Sequence, residues 1–295
     1  MPGRRRWAVA AALLAALAAG GAPARAAVSP TTVLDPLGPD VLALGGTALA
    51  DDGTGGAVWL RRDGGRPHVF AARFVRGTWT APVRVDNGQA FASSWPVIAA
   101  GEGGRLLVAW VQEYGPGSDR LYSATLAPGA AAFGTPAAID LDVNEATGTQ
   151  PSLAMNAGGN AVIAYRVITR EREQDPTLPE GSQGAEVRLA RYRGRRWSSL
   201  GRANRNAAIP LPEPASGNGP QVGIGQDGNG VVAWVEDDNN LVPRVWARRV
   251  FASALGTVLP ISPATDGGAA AGPADTVALG VGPFDDAAIA FRQLA

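Results

Sequence analysis

The sequence predicts an all-β fold made of repeated antiparallel sheets, and three observations carry that prediction. A strand–turn–strand unit ending in an aromatic residue recurs five times. The first four copies are each followed by a second pair of runs in which apolar and polar residues alternate, as half-buried strands require. Glycine and proline supply 39 and 23 of the 295 residues, which suits a chain that turns often.

The unit reads TALADDGTGGAVW at 47–59 and PVIAAGEGGRLLVAW at 96–110. It returns as PSLAMNAGGNAVIAY at 151–165, PQVGIGQDGNGVVAW at 220–234 and, degenerate, TVALGVGPFDDAAIAF at 276–291. The closing aromatics are Trp59, Trp110, Tyr165, Trp234 and Phe291, spaced 51, 55, 69 and 57 residues apart. A polar insertion near 169–184 lengthens the third interval. The second halves begin VFAARF at 69–74, LYSATL at 121–126, VRLARY at 187–192 and VWARRV at 245–250. Each unit is thus four short strands, A to D, with the more apolar pair inside.

A four-stranded sheet of this size cannot bury two apolar faces alone. Stacking successive sheets around an axis covers both faces and leaves short edges, so a β-propeller is the favoured architecture. Another repeated β architecture and a pair of β-sandwiches are the alternatives. The expected units are 46–93, 94–148, 149–218, 219–270 and a partial 271–295. The last supplies only two strands. The segment 27–45, through a β-favouring stretch at 31–34, is expected to close the ring against it.

Residues 1–26 read as an export signal. Arg4, Arg5 and Arg6 precede an apolar run at 7–19, and Ala24 and Ala26 are small residues placed for cleavage. The run of 13 is short of the roughly 20 residues a membrane span needs. The expected location is therefore secreted or on the exterior of the cell envelope. All 26 basic residues are arginine, and the 22 that follow the signal face 26 acidic residues, a net charge of −4. With no basic stripe interleaved with aromatics, a nucleic-acid partner is not expected. Cysteine is absent, which excludes disulfides and thiolate chemistry. A monomer without a membrane span is expected.

The repeat pattern, a proline-led strand, a glycine turn, a Val-Val-Ala-Trp-like strand and then a Gly-x-Trp such as Gly77-Thr78-Trp79, resembles the bacterial secreted sialidase-like, or BNR-like, propeller proteins over about residues 45–291. That resemblance implies a propeller fold and extracellular glycan chemistry. The arginine triad, Tyr–Glu pair and acidic Asp of true sialidases have no residue-by-residue counterparts here. The Asp box, Ser-x-Asp-x-Gly-x-x-Trp, is missing as well. The nearest echo, residues 227–230 (DGNG), falls between the first and second strands instead of the third and fourth.

No catalytic constellation stands out. His68 is the only histidine and reads as entry into a strand; Ser93 and Ser94 lack a nucleophile-elbow sequence. Trp59, Trp79, Trp110, Tyr165, Trp197, Trp234 and Phe291 recur at fixed strand positions and are expected to pack between sheets, although aromatics also stack on sugars. The B–C and D–A loops share one end of a propeller, where ligands are bound by loops on a fixed scaffold. They bring Trp95, Glu113, Tyr114, Asp119, Glu236 and Asp237 forward as ligand-binding residues. Asp140, Asp142 and Asn144 alternate onto one strand face as oxygen ligands for calcium would, without the glycine and twelfth-position acid of a calcium hand. No other cofactor is expected. The functional expectation is a non-catalytic extracellular module that binds or scaffolds glycan or protein. The alternative is a sialidase-like or other glycoside hydrolase using carboxylates at the axial opening.

Overall fold

The computed structural model describes residues 31–36, 40–115, 118–139, 150–170, 182–205, 211–212, 219–266 and 269–294. They form a β-propeller of four full blades and a two-stranded fifth. The first blade orders β1 (Val41–Leu49), β2 (Gly55–Asp63), β3 (Arg66–Val75) and β4 (Thr78–Trp79), with β5 (Val83–Arg84) also on β3. The second runs β6 (Ser93–Gly101), β7 (Arg105–Gly115), β8 (Ser118–Leu126) and β9 (Ala137–Ala138). The third runs β10 (Ser152–Met155), β11 (Ala161–Arg170), β12 (Ser182–Arg193) and β13 (Arg196–Arg202), with β14 (Leu211–Pro212) on β12. The fourth runs β15 (Gln221–Ile224), β16 (Gly230–Asp237), β17 (Pro243–Val250) and β18 (Leu259–Pro260). After a short hairpin, β19 (Thr265–Asp266) and β20 (Ala269–Ala270), the fifth unit is β21 (Ala274–Val281) paired with β22 (Ala287–Gln293). The first inner strand starts at Val41, ahead of the expected boundary at 46. A 3-10 turn lies at Glu102–Gly104, and among the described residues no helix is long and apolar enough to cross a membrane.

The core is the set of interfaces between blades. Alternation along each B strand sends its two faces to the two neighbouring blades. On β7, Leu106, Val108 and Trp110 pack on Val58, Val69 and Ala71 of the first blade. The residues between them, Ala109 and Val111, meet Ile163, Tyr165 and Val167 of the third. Val162 and Ala164 then face Val232 and Trp234 of the fourth, whose Val231, Ala233 and Val235 meet Val277 of the fifth. Each fully buried apolar side chain contributes about 1.5–3 kcal/mol. The closing aromatics of the second, third and fourth units therefore pack toward the preceding blade, as expected of inter-sheet residues. Phe291, on the outermost strand, is 36% exposed.

Each indole buried in this way needs an acceptor for its N–H. Trp110 Nε1 donates to Gln112 Oε1 at 3.1 Å, and Trp234 Nε1 donates to Glu236 Oε2 at 2.8 Å, in each case two residues along the same strand face. In the first blade that position is Arg61, a donor. Here Asp35 takes over: Trp59 Nε1 and Arg61 Nη1 both donate to Asp35 Oδ2 at 3.0 Å. Leu34 and Trp79 pack beside Trp59, Phe70 and Ala72 on the same free face. Residues 31–34 form no strand, and Leu34 caps the first blade where the sequence reading had it docking on the fifth unit. The physical reason is the Trp59 face, which Leu34 covers and Asp35 supplies with an acceptor without any strand pairing.

A second recurring device fixes the D-to-A connections. Val85, Ile139, Ala203 and Ile261 donate backbone N–H groups to Val69, Leu121, Val187 and Val245. The following residue returns the contact through its side chain: Asp86 Oδ2 accepts from Val69 N, Asn204 Oδ1 from Val187 N, and Ser262 Oγ from Val245 N. By repeat position the second unit's counterpart is Asp140.

The Asp35 arrangement generates a stability prediction. Asp35→Ala leaves the Trp59 N–H and the Arg61 guanidinium without this acceptor, and is expected to cost about 1–3 kcal/mol. Asp35→Asn, which keeps an acceptor, should cost less. Urea unfolding of both variants checks the order, and equal stability of wild type and Asp35→Ala would rule the cap out.

Candidate functional site

Strand direction alternates, so B–C and D–A connections lie at one end of the propeller and A–B and C–D hairpins at the other. At the first end the A strands start around the axis. In the second, third and fourth blades the residue preceding the proline of the A strand sits on this rim: Trp95 before Pro96, Gln150 before Pro151, Gly219 before Pro220.

Trp95 is held in the left-handed region, φ 48°, an outlier for a bulky side chain. It occupies a β-bulge, since β6 loses register on β7 between Ser94 and Val97. Bulges re-aim a side chain away from the sheet alternation, and the indole is 43% exposed where every closing tryptophan is buried. Gln150 shares the conformation, φ 65°, so the backbone shape belongs to the repeat position. What differs is the side chain it presents. Trp95 overhangs a cleft of about 410 Å³ between the first and second blades, walled by Leu44, Leu60, Pro96 and Pro151.

Gln150, next to Pro151 of that wall, is 8% exposed, and among the described residues no donor reaches its Oε1. Buried acceptors are rarely left so. Close approach explains the third rim residue: a Cβ on Gly219 would lie 2.6 Å from that of Gln150.

The other predicted site residues separate into two groups. Glu113 and Asp119 face each other across β7 and β8, near the B–C turn of the second blade. Glu113 is exposed, and its N–H donates to Ala92 O at 3.0 Å, three residues before Trp95. Burial, and then the neighbouring Glu113 charge, raises the Asp119 carboxyl above the ordinary range. Tyr114 lies on the same strand, its side chain outside the described set. Glu236 and Asp237, by contrast, are 0% and 2% exposed. Glu236 accepts from Trp234 and from Arg205 N, and its carboxylate lies 3.3 Å from Arg205 Nε. Arg205 also donates to the Asp237 carbonyl. These contacts tie β16 to Arg205, on the connection leading from the third blade. Their sequence signal is the spacing Trp-x-Gln/Glu, repeated at 110–112 and 234–236, which marks an indole cap. Asp140, Asp142 and Asn144 lie outside the described residues.

One polar cluster has no precursor in the sequence reading. His68 Nδ1 lies 2.8 Å from Asp86 Oδ2, and Ser93 Oγ donates to the same oxygen at 2.6 Å. Arg84 Nε donates to Asp86 Oδ1 at 2.8 Å. Serine and histidine both address the carboxylate, so this is no nucleophile–base relay. Asp86 holds the repeat position of Asn204 and Ser262, and its role is to pin the D–A connection. The DGNG turn likewise joins β15 to β16, where Asp227 Oδ1 accepts from Asn229 N at 2.8 Å, a local turn bond and not an Asp box.

No family model matches the sequence, and no curated protein matches it. Solved structures do resemble it in fold. A protein of unknown function from Dyadobacter fermentans DSM 18053 has a TM-score of 0.54 at 12% identity, covering 85% of this chain and 75% of that one. A Hadza microbial sialidase gives 0.48 at 15% identity, with 76% of this chain covered, and an ulvan lyase gives 0.49 at 10% identity, with 83% covered. This chain spans 47% of the sialidase and 62% of the lyase. At such identities the likeness is one of architecture, and the architecture is a β-propeller.

Proposed function

We propose that this chain is an exported, non-catalytic propeller that holds a glycan at its axial rim. The observation that carries the reading is Trp95, an indole turned outward by a bulge over an apolar cleft. A flat aromatic face with a fixed backbone takes the C–H face of a sugar ring at little entropic cost. Residues 1–26, on which export rests, lie outside the described residues.

The expected result is that Trp95→Ala weakens retardation in native gels containing soluble polysaccharides by at least about tenfold, or about 1.4 kcal/mol. Its unfolding midpoint should not fall, since the indole is exposed and its backbone relaxes. Identical mobility of wild type and variant across the polysaccharide panel would remove the reading.

Glu113 and Asp119 favour a second reading, hydrolysis, because two carboxyls directly opposite each other, one of them raised by burial, are the pairing that glycosidic acid–base chemistry uses. In that case the double substitution E113Q/D119N abolishes release of reducing ends; full activity in the folded variant overturns it. The pair also has a stability signature. A raised folded-state pKa means that Asp119 contributes most when protonated, below the ordinary value of 3.8, and that this contribution is lost as pH rises through the raised value. Asp119→Asn should therefore raise the unfolding midpoint at pH 7 and leave it unchanged near pH 3, as read by thermal melts at the two pH values.

A further inference from the structure

We propose a second binding site on this propeller, for an acidic polysaccharide, in the outer cleft between the second and third blades. It is formed by the β12–β13 hairpin and the outer strands β8 and β9. The cleft is about 440 Å³ and is lined by Tyr192, Arg195, Arg196, Trp197, Thr125 and Thr135. It lies at the C–D end, away from the Trp95 rim, and does not depend on the function assigned to that rim.

The hairpin breaks two local rules at one turn. Gly194 and Arg195 form its two-residue turn with φ 57° and 68°, and the second of these angles favours glycine or asparagine. Arginine there is held at a cost. Arg193 and Arg196 are then directly opposite each other in the ladder, a like-charge cross-strand pair that destabilises a hairpin. Arg193, Arg195 and Arg196 are all exposed, and among the described residues none of the three has an acidic partner. The corresponding turn of the first blade, Arg76 and Gly77, sits between Val75 and Thr78 and carries one arginine. Local conflicts of this kind gather at functional sites, and an anion lying against the hairpin relieves the repulsion.

The floor beneath the guanidinium groups is aromatic and fixed. Tyr192 and Trp197 are opposite each other in register, with ring centroids 5.2 Å apart and tilted by 55°. Trp197 Nε1 reaches across the gap between blades and donates to Ser123 Oγ of the second blade at 2.8 Å. That bond sets the indole in the cleft wall with both rings lining the space. Thr125 and Thr135 line it from the second blade. Aromatic faces, hydroxyls and paired guanidinium groups are complementary to a sugar ring that bears a carboxylate or sulfate, which arginine binds through two parallel N–H donors. A polyphosphate chain fits less well, because the chain beyond the signal is acidic overall and the arginines are confined to one turn.

The test is native gel retardation and salt titration of the full chain with polygalacturonate, heparin, neutral dextran and oligothymidylate. Wild type is expected to bind polygalacturonate or heparin, with affinity falling as salt rises, and to ignore dextran at this site. The variant R195N/R196Q keeps a turn-compatible residue and should bind the acidic polymers at least about tenfold more weakly with an unfolding midpoint equal to or above wild type. Trp95→Ala should bind them as wild type does. Preference for polygalacturonate identifies the carboxylate, and preference for heparin the sulfate. The proposal is overturned if wild type binds neither acidic polymer, if R195N/R196Q binds as wild type, if oligothymidylate binds as tightly, or if Trp95→Ala alone removes the binding.

Discussion

A sheet that is apolar on both faces has to be covered on both, and this propeller is organised around that requirement. The residues of β16 are buried without interruption, and six consecutive residues of β7, Leu106 to Val111, are at most 1% exposed. Neither strand has a side that water could wet. Each blade therefore fixes the next, and the order of aromatic and aliphatic residues along a B strand decides which neighbour it meets. The tryptophans add a polar condition to the apolar one. Burying an indole obliges the chain to supply an acceptor, and Gln112, Glu236 and Asp35 are three solutions of one problem.

Much of the fold was legible in the sequence for that reason. Inner strands are long, apolar and bounded by glycine turns, so their number and pairing follow from pattern. The outer strands were harder to read. Pro82 precedes β5, Pro136 precedes β9, and Pro212 and Pro260 lie within β14 and β18. Proline protects an edge because it offers no donor to a further strand, and it also cuts the outer strand to two residues. The route of the N-terminal segment was not legible, because Leu34 and Asp35 act through one side-chain contact each and leave no periodic trace.

The site was legible in part. Trp95 was brought forward with the other residues of the B–C and D–A connections. That it faces outward depends on a bulge, which alternation cannot foresee. Acidic runs misled in the other direction: residues 236–237 resemble a solvated turn in composition, yet the strand extends to Asp237 and takes both side chains inward. The arginine-rich hairpin was visible as letters, but its charge is significant only beside the second blade's outer edge, which tertiary packing supplies.

The A–B hairpins form a chain of contacts, each reaching only the next blade. Asp52 Oδ2 accepts from Gly103 N, Glu102 N donates to Ala157 O, Asn156 Nδ2 donates to Gln226 O, and Gln226 N donates to Pro283 O. These hairpins surround an axial cavity of about 220 Å³ that Leu49 and Asp51 share with Val281, Gly282 and Pro283. A linear chain of nearest-neighbour clasps loosens from its ends and not from its middle. Among the described residues the fifth unit has two strands, and its core packs on the fourth blade. The axial cavity is therefore bounded on one side by the two-stranded β21–β22 unit, while the rim around Trp95 rests on the core that the first and second blades share.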